Sequence, residues 1–172
     1  MIFKPDMRKM LFISSLLSLL MTSCIKDDQT GADLTVGDRI PEFSVMMNDG
    51  TAVTGRGLSQ GKACIVFFTT KCPDCQKTLP AVQTLYEEYS PEGVRFALIS
   101  REEGVESVSQ YWQESEFTMP YSAQNDRKIY ELFAKTRVPR VYICNDGVIR
   151  AVFTDQPENP TYEVMKTALE SL

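Results

Sequence analysis

The stretch Ala63-Cys64-Ile65-Val66-Phe67-Phe68-Thr69-Thr70-Lys71-Cys72-Pro73-Asp74-Cys75 decides the fold. Its first six residues are an unbroken apolar run, the pattern of a strand buried on both faces of an α/β sheet. Cys72-Pro73-Asp74-Cys75 follows, with proline in a helix's first turn, where a missing N–H costs nothing. Beyond it Leu79, Val82, Leu85, Tyr86 and Tyr89 recur at helical spacing, with Pro80 expected to kink the helix. Two thiols three residues apart, at a helix start directly after a buried strand, are the layout of a thiol–disulfide redox site.

Outward from this stretch, strand and helix patterns alternate. On the N-terminal side Phe43 and Val45 alternate with Ser44, and Asp49-Gly50 marks a hairpin turn. Residues 55–62 read as a loop. On the C-terminal side come a strand over 94–100, a helix over 105–116 and a helix over 126–134. Val138-Pro139 then leads into a strand over 140–144. Asn145-Asp146-Gly147 turns the chain into a strand over 148–153, and an amphipathic helix over 161–172 ends it. This order predicts an α/β sandwich with a mixed central sheet.

The N-terminus reads as an address. Lys4, Arg8 and Lys9 precede the apolar run Leu11–Leu20, too short for a comfortable membrane span. The run ends in Leu20-Met21-Thr22-Ser23-Cys24, which resembles a bacterial lipobox with Met21 in a position where leucine is usual. The expected organisation is a lipoprotein signal peptide over 1–23, a flexible tether over 24–35 and one domain over 36–172. Cys24 is the expected lipidation site. Lys26-Asp27-Asp28 fits either a surface-export tag or a solvated tether.

Composition narrows the chemistry. The 172 residues carry a formal net charge of −5 and no basic run, which argues against nucleic-acid binding. The leader removes three cations (Lys4, Arg8, Lys9) and one anion (Asp6), so the domain is more acidic still. There is no histidine, the usual general base and commonest metal ligand. No metal or cofactor is expected. Of the five cysteines, Cys24 belongs to the leader's end and Cys72 and Cys75 form the pair. Cys64 and Cys144 read as small core hydrophobes, with a bridge between them as the sharper alternative.

The domain resembles the thioredoxin-like oxidoreductases, most closely the TlpA/ResA group of extracytoplasmic tethered proteins in the AhpC/TSA–Redoxin superfamily. The resemblance rests on Val36-Gly37-Asp38, Pro41 and Phe43; on Asp49-Gly50; on Phe67-Phe68-Thr69-Thr70, Cys72-Pro73 and Cys75; on Leu79-Pro80; and on Val138-Pro139 with Tyr142-Ile143 and Asp146-Gly147. It implies a three-layer α/β/α sandwich with a mixed central sheet and an N-terminal β-hairpin extension. It implies Cys72 as nucleophile and Cys75 as resolving thiol. Val138 and a cis Pro139 would bind the substrate backbone, with Lys71, Pro73 and Asp74 modulating the thiols.

The implied partners are protein thiols and disulfides as substrates and an upstream membrane thiol electron donor. The implied location is the periplasmic face of the outer membrane, or the cell surface, of a Gram-negative bacterium. Reduction is the expected direction.

Departures from the group's pattern are visible. Lys71 stands where a tryptophan often precedes the first cysteine; a cation there favours a thiolate, while Asp74 acts against it. The buried acid of many members is missing: Val66 and Thr78 occupy its two usual positions, and Glu42 is one candidate substitute. Two other readings stand beside disulfide exchange. Thr69 with Cys72 fits part of a peroxiredoxin site, although Ile65 replaces its proline. A lipoprotein that uses the fold only to bind a partner is the non-enzymatic reading.

Overall fold

The computed structural model describes residues 33–172. Cys24, the leader and most of the tether lie outside the described residues. The first elements of the described residues are a small hairpin, β1 (Ser44–Met46) and β2 (Ala52–Thr54), then a helical turn α1 (Gly55–Leu58). The main elements follow: β3 (Lys62–Phe68), α2 (Pro73–Tyr89), β4 (Arg95–Ser100), α3 (Val105–Glu114), β5 (Tyr121–Ser122), α4 (Lys128–Glu131), β6 (Arg140–Asn145), β7 (Val148–Thr154) and α5 (Tyr162–Glu170). The five-stranded sheet runs β5-β4-β3-β6-β7. β3 pairs parallel with β4 and antiparallel with β6, so the sheet is mixed as expected.

Alternation along β3 divides the core into two layers. Cys64, Val66 and Phe68 pack with Leu79 and Val82 of α2, Trp112 of α3 and Met165 of α5. Ala63, Ile65 and Phe67 pack on the other face with Phe43, Leu58, Tyr130 and Phe133. One layer is therefore three full helices. The other is the hairpin, two helical turns and the segment around Phe133. Cys64 belongs to the first layer and Cys144 to the second, and both are free. Strand neighbours on opposite faces cannot bridge, so the core-hydrophobe reading holds. Burial pushes the Cys144 thiol up to about 12 and Cys64 higher still, as expected of inert structural thiols.

Several elements differ from expectation. The helix expected over 126–134 is only Lys128–Glu131, and α3 stops at Glu114. Residues 55–62 are not all loop, because Thr54 Oγ1 caps α1 by accepting from Gly57 N at 3.0 Å. Gly55 is required there: a Cβ would lie 2.1 Å from the Pro41 carbonyl oxygen. Among the described residues no helix is long and apolar enough to cross a membrane.

The strand registers gather the functional loops at one end of the sheet. Phe67 opposite Arg140 brings Val138-Pro139 beside the segment leaving β3. Phe68 opposite Ser100, continued by Arg101 N–H to Phe68 O at 2.8 Å, brings 101–103 to the other side of that segment. Arg140 opposite Thr154 aligns residues 155–159 with the Val138-Pro139 turn.

Candidate active site

Cys72 is the N-cap of α2, with extended backbone, and Pro73 fills the first turn. Its sulfur therefore sits where the helix's first N–H groups have no intrahelical partners. Cys72 is partly exposed, and its thiol donates to the Val138 carbonyl at 3.4 Å. Cys75, one turn on, is fully buried. Burial pushes the Cys75 thiol well above its ordinary range. The neighbouring Cys72 adds to this, while a backbone hydrogen bond from Thr69 and the Arg101 charge oppose it.

Val138-Pro139 is cis, as the resemblance implied. Arg137 just before it holds φ at 69°, a left-handed conformation unusual for a non-glycine residue. Its guanidinium is fixed by Asp155 at 3.0 Å. The Asp74 carboxylate accepts from Asn159 Nδ2 at 3.0 Å and Lys77 Nζ at 3.1 Å. Those two hydrogen bonds hold it below the usual carboxylate range. Residues 155–159 thus touch both halves of the site, through Asp155 to the turn and through Asn159 to the dithiol helix. Lys71 is exposed.

The structure adds a residue the sequence did not single out. Glu103 is 9% exposed and sits beneath the loop that carries the dithiol. Its carboxylate accepts from Thr70 N at 2.6 Å, from Thr70 Oγ1 at 2.5 Å and from Ser107 Oγ at 2.5 Å. Burial alone would raise its pKa. The bonds from Ser107 and Thr70, with the Lys71 charge, outweigh burial and hold the carboxyl below its ordinary value. Thr70 in turn accepts from Gln76 Nε2 through its carbonyl at 2.8 Å, which ties the loop to the first turns of α2.

The positions where the acid was missing are confirmed as apolar or neutral. Val66 is buried in the core, and Thr78 is buried with an unpartnered hydroxyl. Glu42 is exposed and lines a surface hollow with Phe43, Ser44, Thr54 and Arg56, a set that includes no residue of the dithiol loop. A partly exposed thiol over a helix N-terminus, a buried thiol one turn behind it and an open backbone turn opposite can together form and break a disulfide with another chain.

Comparisons with known proteins agree with this chemistry. Residues 36–153 match the AhpC/TSA family. A thiol-disulfide oxidoreductase, ResA, of Oceanobacillus iheyensis is 25% identical over 150 residues, covering 81% of this chain and 77% of the relative. A thiol:disulfide interchange protein of the thioredoxin family from Chlorobium tepidum superposes with a TM-score of 0.67 at 18% identity, covering 81% and 98% of the two chains. StoA of Bacillus subtilis gives 0.64 at 20% identity, covering 75% and 96%. The two structures establish the thioredoxin-like fold.

Proposed function

We infer from two facts, that the chain belongs to the AhpC/TSA family and that its paired thiols face an open backbone turn, that this protein is a thiol–disulfide oxidoreductase acting on other proteins. The observation that carries the reading is the Cys72 thiol, partly exposed and 3.4 Å from the Val138 carbonyl, with Cys75 buried one turn behind.

Cys72 is the nucleophile in this reading. Its thiolate attacks one sulfur of a substrate disulfide; the Cys72–substrate bond forms and the substrate's own S–S bond breaks. The displaced substrate sulfur takes a proton. Cys75, deprotonated, then attacks Cys72; the intramolecular disulfide forms and the second substrate sulfur leaves and is protonated. Two electrons and two protons pass to the substrate. Val138 offers its peptide to an extended substrate strand, in the manner of β-strand addition. Pro73 and Asp74 set the geometry and charge of the first turn, and Lys71 adds a cation at its mouth.

Reduction is the favoured direction. An upstream thiol donor in the membrane would recharge the pair. Cys24 would carry the lipid that holds the exported domain at the membrane, with 24–35 as tether.

The test is turnover with a protein disulfide such as insulin, with dithiothreitol as donor. Wild-type protein is expected to accelerate precipitation of the reduced chains, and Cys72→Ser to fall to background. Activity retained in Cys72→Ser would sink the reading.

A further inference from the structure

The ladder that holds β6 ends at Arg140, so the four residues before Pro139 lie beyond it. Their carbonyls are instead taken up by side chains. Lys135 O accepts from Arg127 Nη2 at 2.7 Å. Thr136 O accepts from Tyr130 Oη at 2.5 Å and from Arg140 Nη2 at 3.1 Å. Arg137 O lies 2.6 Å from the same Tyr130 hydroxyl, whose single proton the two carbonyls share. Val138 O accepts from Cys72. One phenol thus spans two consecutive carbonyls directly before the residue that faces the nucleophile.

Tyr130 is itself held firmly. It is 1% exposed. Its ring meets Phe67 of β3 edge to face at 5.3 Å. The guanidinium groups of Arg101 and Arg127 lie 5.9 and 5.7 Å from its centroid. Phe67 lies five residues before Cys72 on the strand that feeds the dithiol loop. Tyr130 therefore connects two parts of the site, the strand behind the nucleophile and the turn in front of it. Arg137 needs such support, because a non-glycine residue in the left-handed region persists only where its surroundings enforce it.

We propose that Tyr130 is a positioning residue for substrate docking: its hydroxyl fixes the Thr136 and Arg137 carbonyls and so aims the Val138 peptide at an incoming extended chain. This rests on the reading of Val138 as the substrate's docking strand. Tyr130 touches neither thiol in the exchange. Its effect falls on substrates that use the turn and spares those that reach Cys72 directly.

The test compares two disulfides in Tyr130→Phe, which keeps the ring and removes the hydroxyl. Toward insulin, kcat/KM is expected to fall roughly tenfold, the scale of one lost hydrogen bond, mostly through a higher KM. Toward the small aromatic disulfide dithiobis(nitrobenzoate), which needs no backbone docking, the single-turnover rate stays within about twofold. Equal losses toward both, or no loss toward insulin, overturn the proposal. If Tyr130→Phe is not recovered folded, Arg127→Ala is read by the same criterion. Its side chain is 35% exposed and holds only the Lys135 carbonyl of this turn, so the same split is expected at smaller size. Cys72→Ser, inactive toward both disulfides, separates this question from that of the reaction itself.

Discussion

In a Cys75→Ser variant the exchange stops halfway, with the protein covalently joined to its substrate. Cys72 remains at the helix N-terminus and partly exposed, so the first attack proceeds. The second cannot, because the resolving sulfur is gone. Cys75 is held one turn behind Cys72, and a dilute external thiol has no such effective concentration, so none takes its place at comparable speed. The expected result is a one-to-one mixed disulfide on a non-reducing gel, cleaved by dithiothreitol, with turnover at background. Cys72→Ser forms none. A stable adduct in Cys72→Ser and none in Cys75→Ser would reverse the roles assigned to the two thiols.

The second large effect is on stability and comes from Glu103. Replacement by alanine leaves the Thr70 N–H and hydroxyl and the Ser107 hydroxyl without their acceptor at a 9%-exposed position. Hydrogen bonds to a charged acceptor contribute about 1.5–3 kcal/mol each before relaxation. With partial compensation by water the loss is about 3 kcal/mol, or roughly 10 °C in Tm for a domain of this size.

Glu103→Gln isolates the charge. The folded carboxyl is held below its ordinary value of 4.5, so its contribution is present above about pH 4.5 and is lost as pH falls through the folded pKa. The difference in Tm between wild type and Glu103→Gln is expected to shrink as pH drops below that value. A difference that is constant from pH 7 to pH 3 would remove the electrostatic part of the account. Asp74 and Glu88 are also held low, but both variants share them, and they cancel in the comparison.

What the sequence revealed was what local chemistry encodes. The thiol spacing, the proline in the first turn and the apolar run before them specify strand, cap and helix within a few residues of one another. Val138-Pro139 was legible from the resemblance and from the strand that follows it. Glu103 was not. It pairs with Thr70 across 33 positions, and nothing local separates it from Glu102, which instead pairs with Arg101 at the surface. Tyr130 looked like one more apolar residue of a helix face. Its hydroxyl matters because that helix ends at Glu131 and the chain folds back over it. β5 is two residues long, too short for any periodicity, and exists because Leu98 and Ile99 offer it an edge. For Glu103 and β5 the missing information was a contact between distant segments; for Tyr130 it was the path of the loop directly after the helix.

The acids near the dithiol are engaged elsewhere. Val66 and Thr78 occupy the two positions where a buried acid was sought, Asp74 is bound to Asn159 and Lys77, and the charge that favours the Cys75 thiolate is that of Arg101. Glu103 lies close by in sequence to Arg101, yet its three hydrogen bonds commit it to holding the loop.

The most direct test is the redox equilibrium of the dithiol itself. The protein is equilibrated across glutathione and dithiothreitol buffers, its free thiols are trapped, and its intact mass is read. The account predicts one reversible two-electron step confined to Cys72 and Cys75, with a midpoint near about −250 mV or lower, and Cys64 and Cys144 outside it. A midpoint near about −120 to −180 mV would contradict the reducing direction. The absence of any reversible two-thiol step would contradict the central claim that this protein exchanges disulfides.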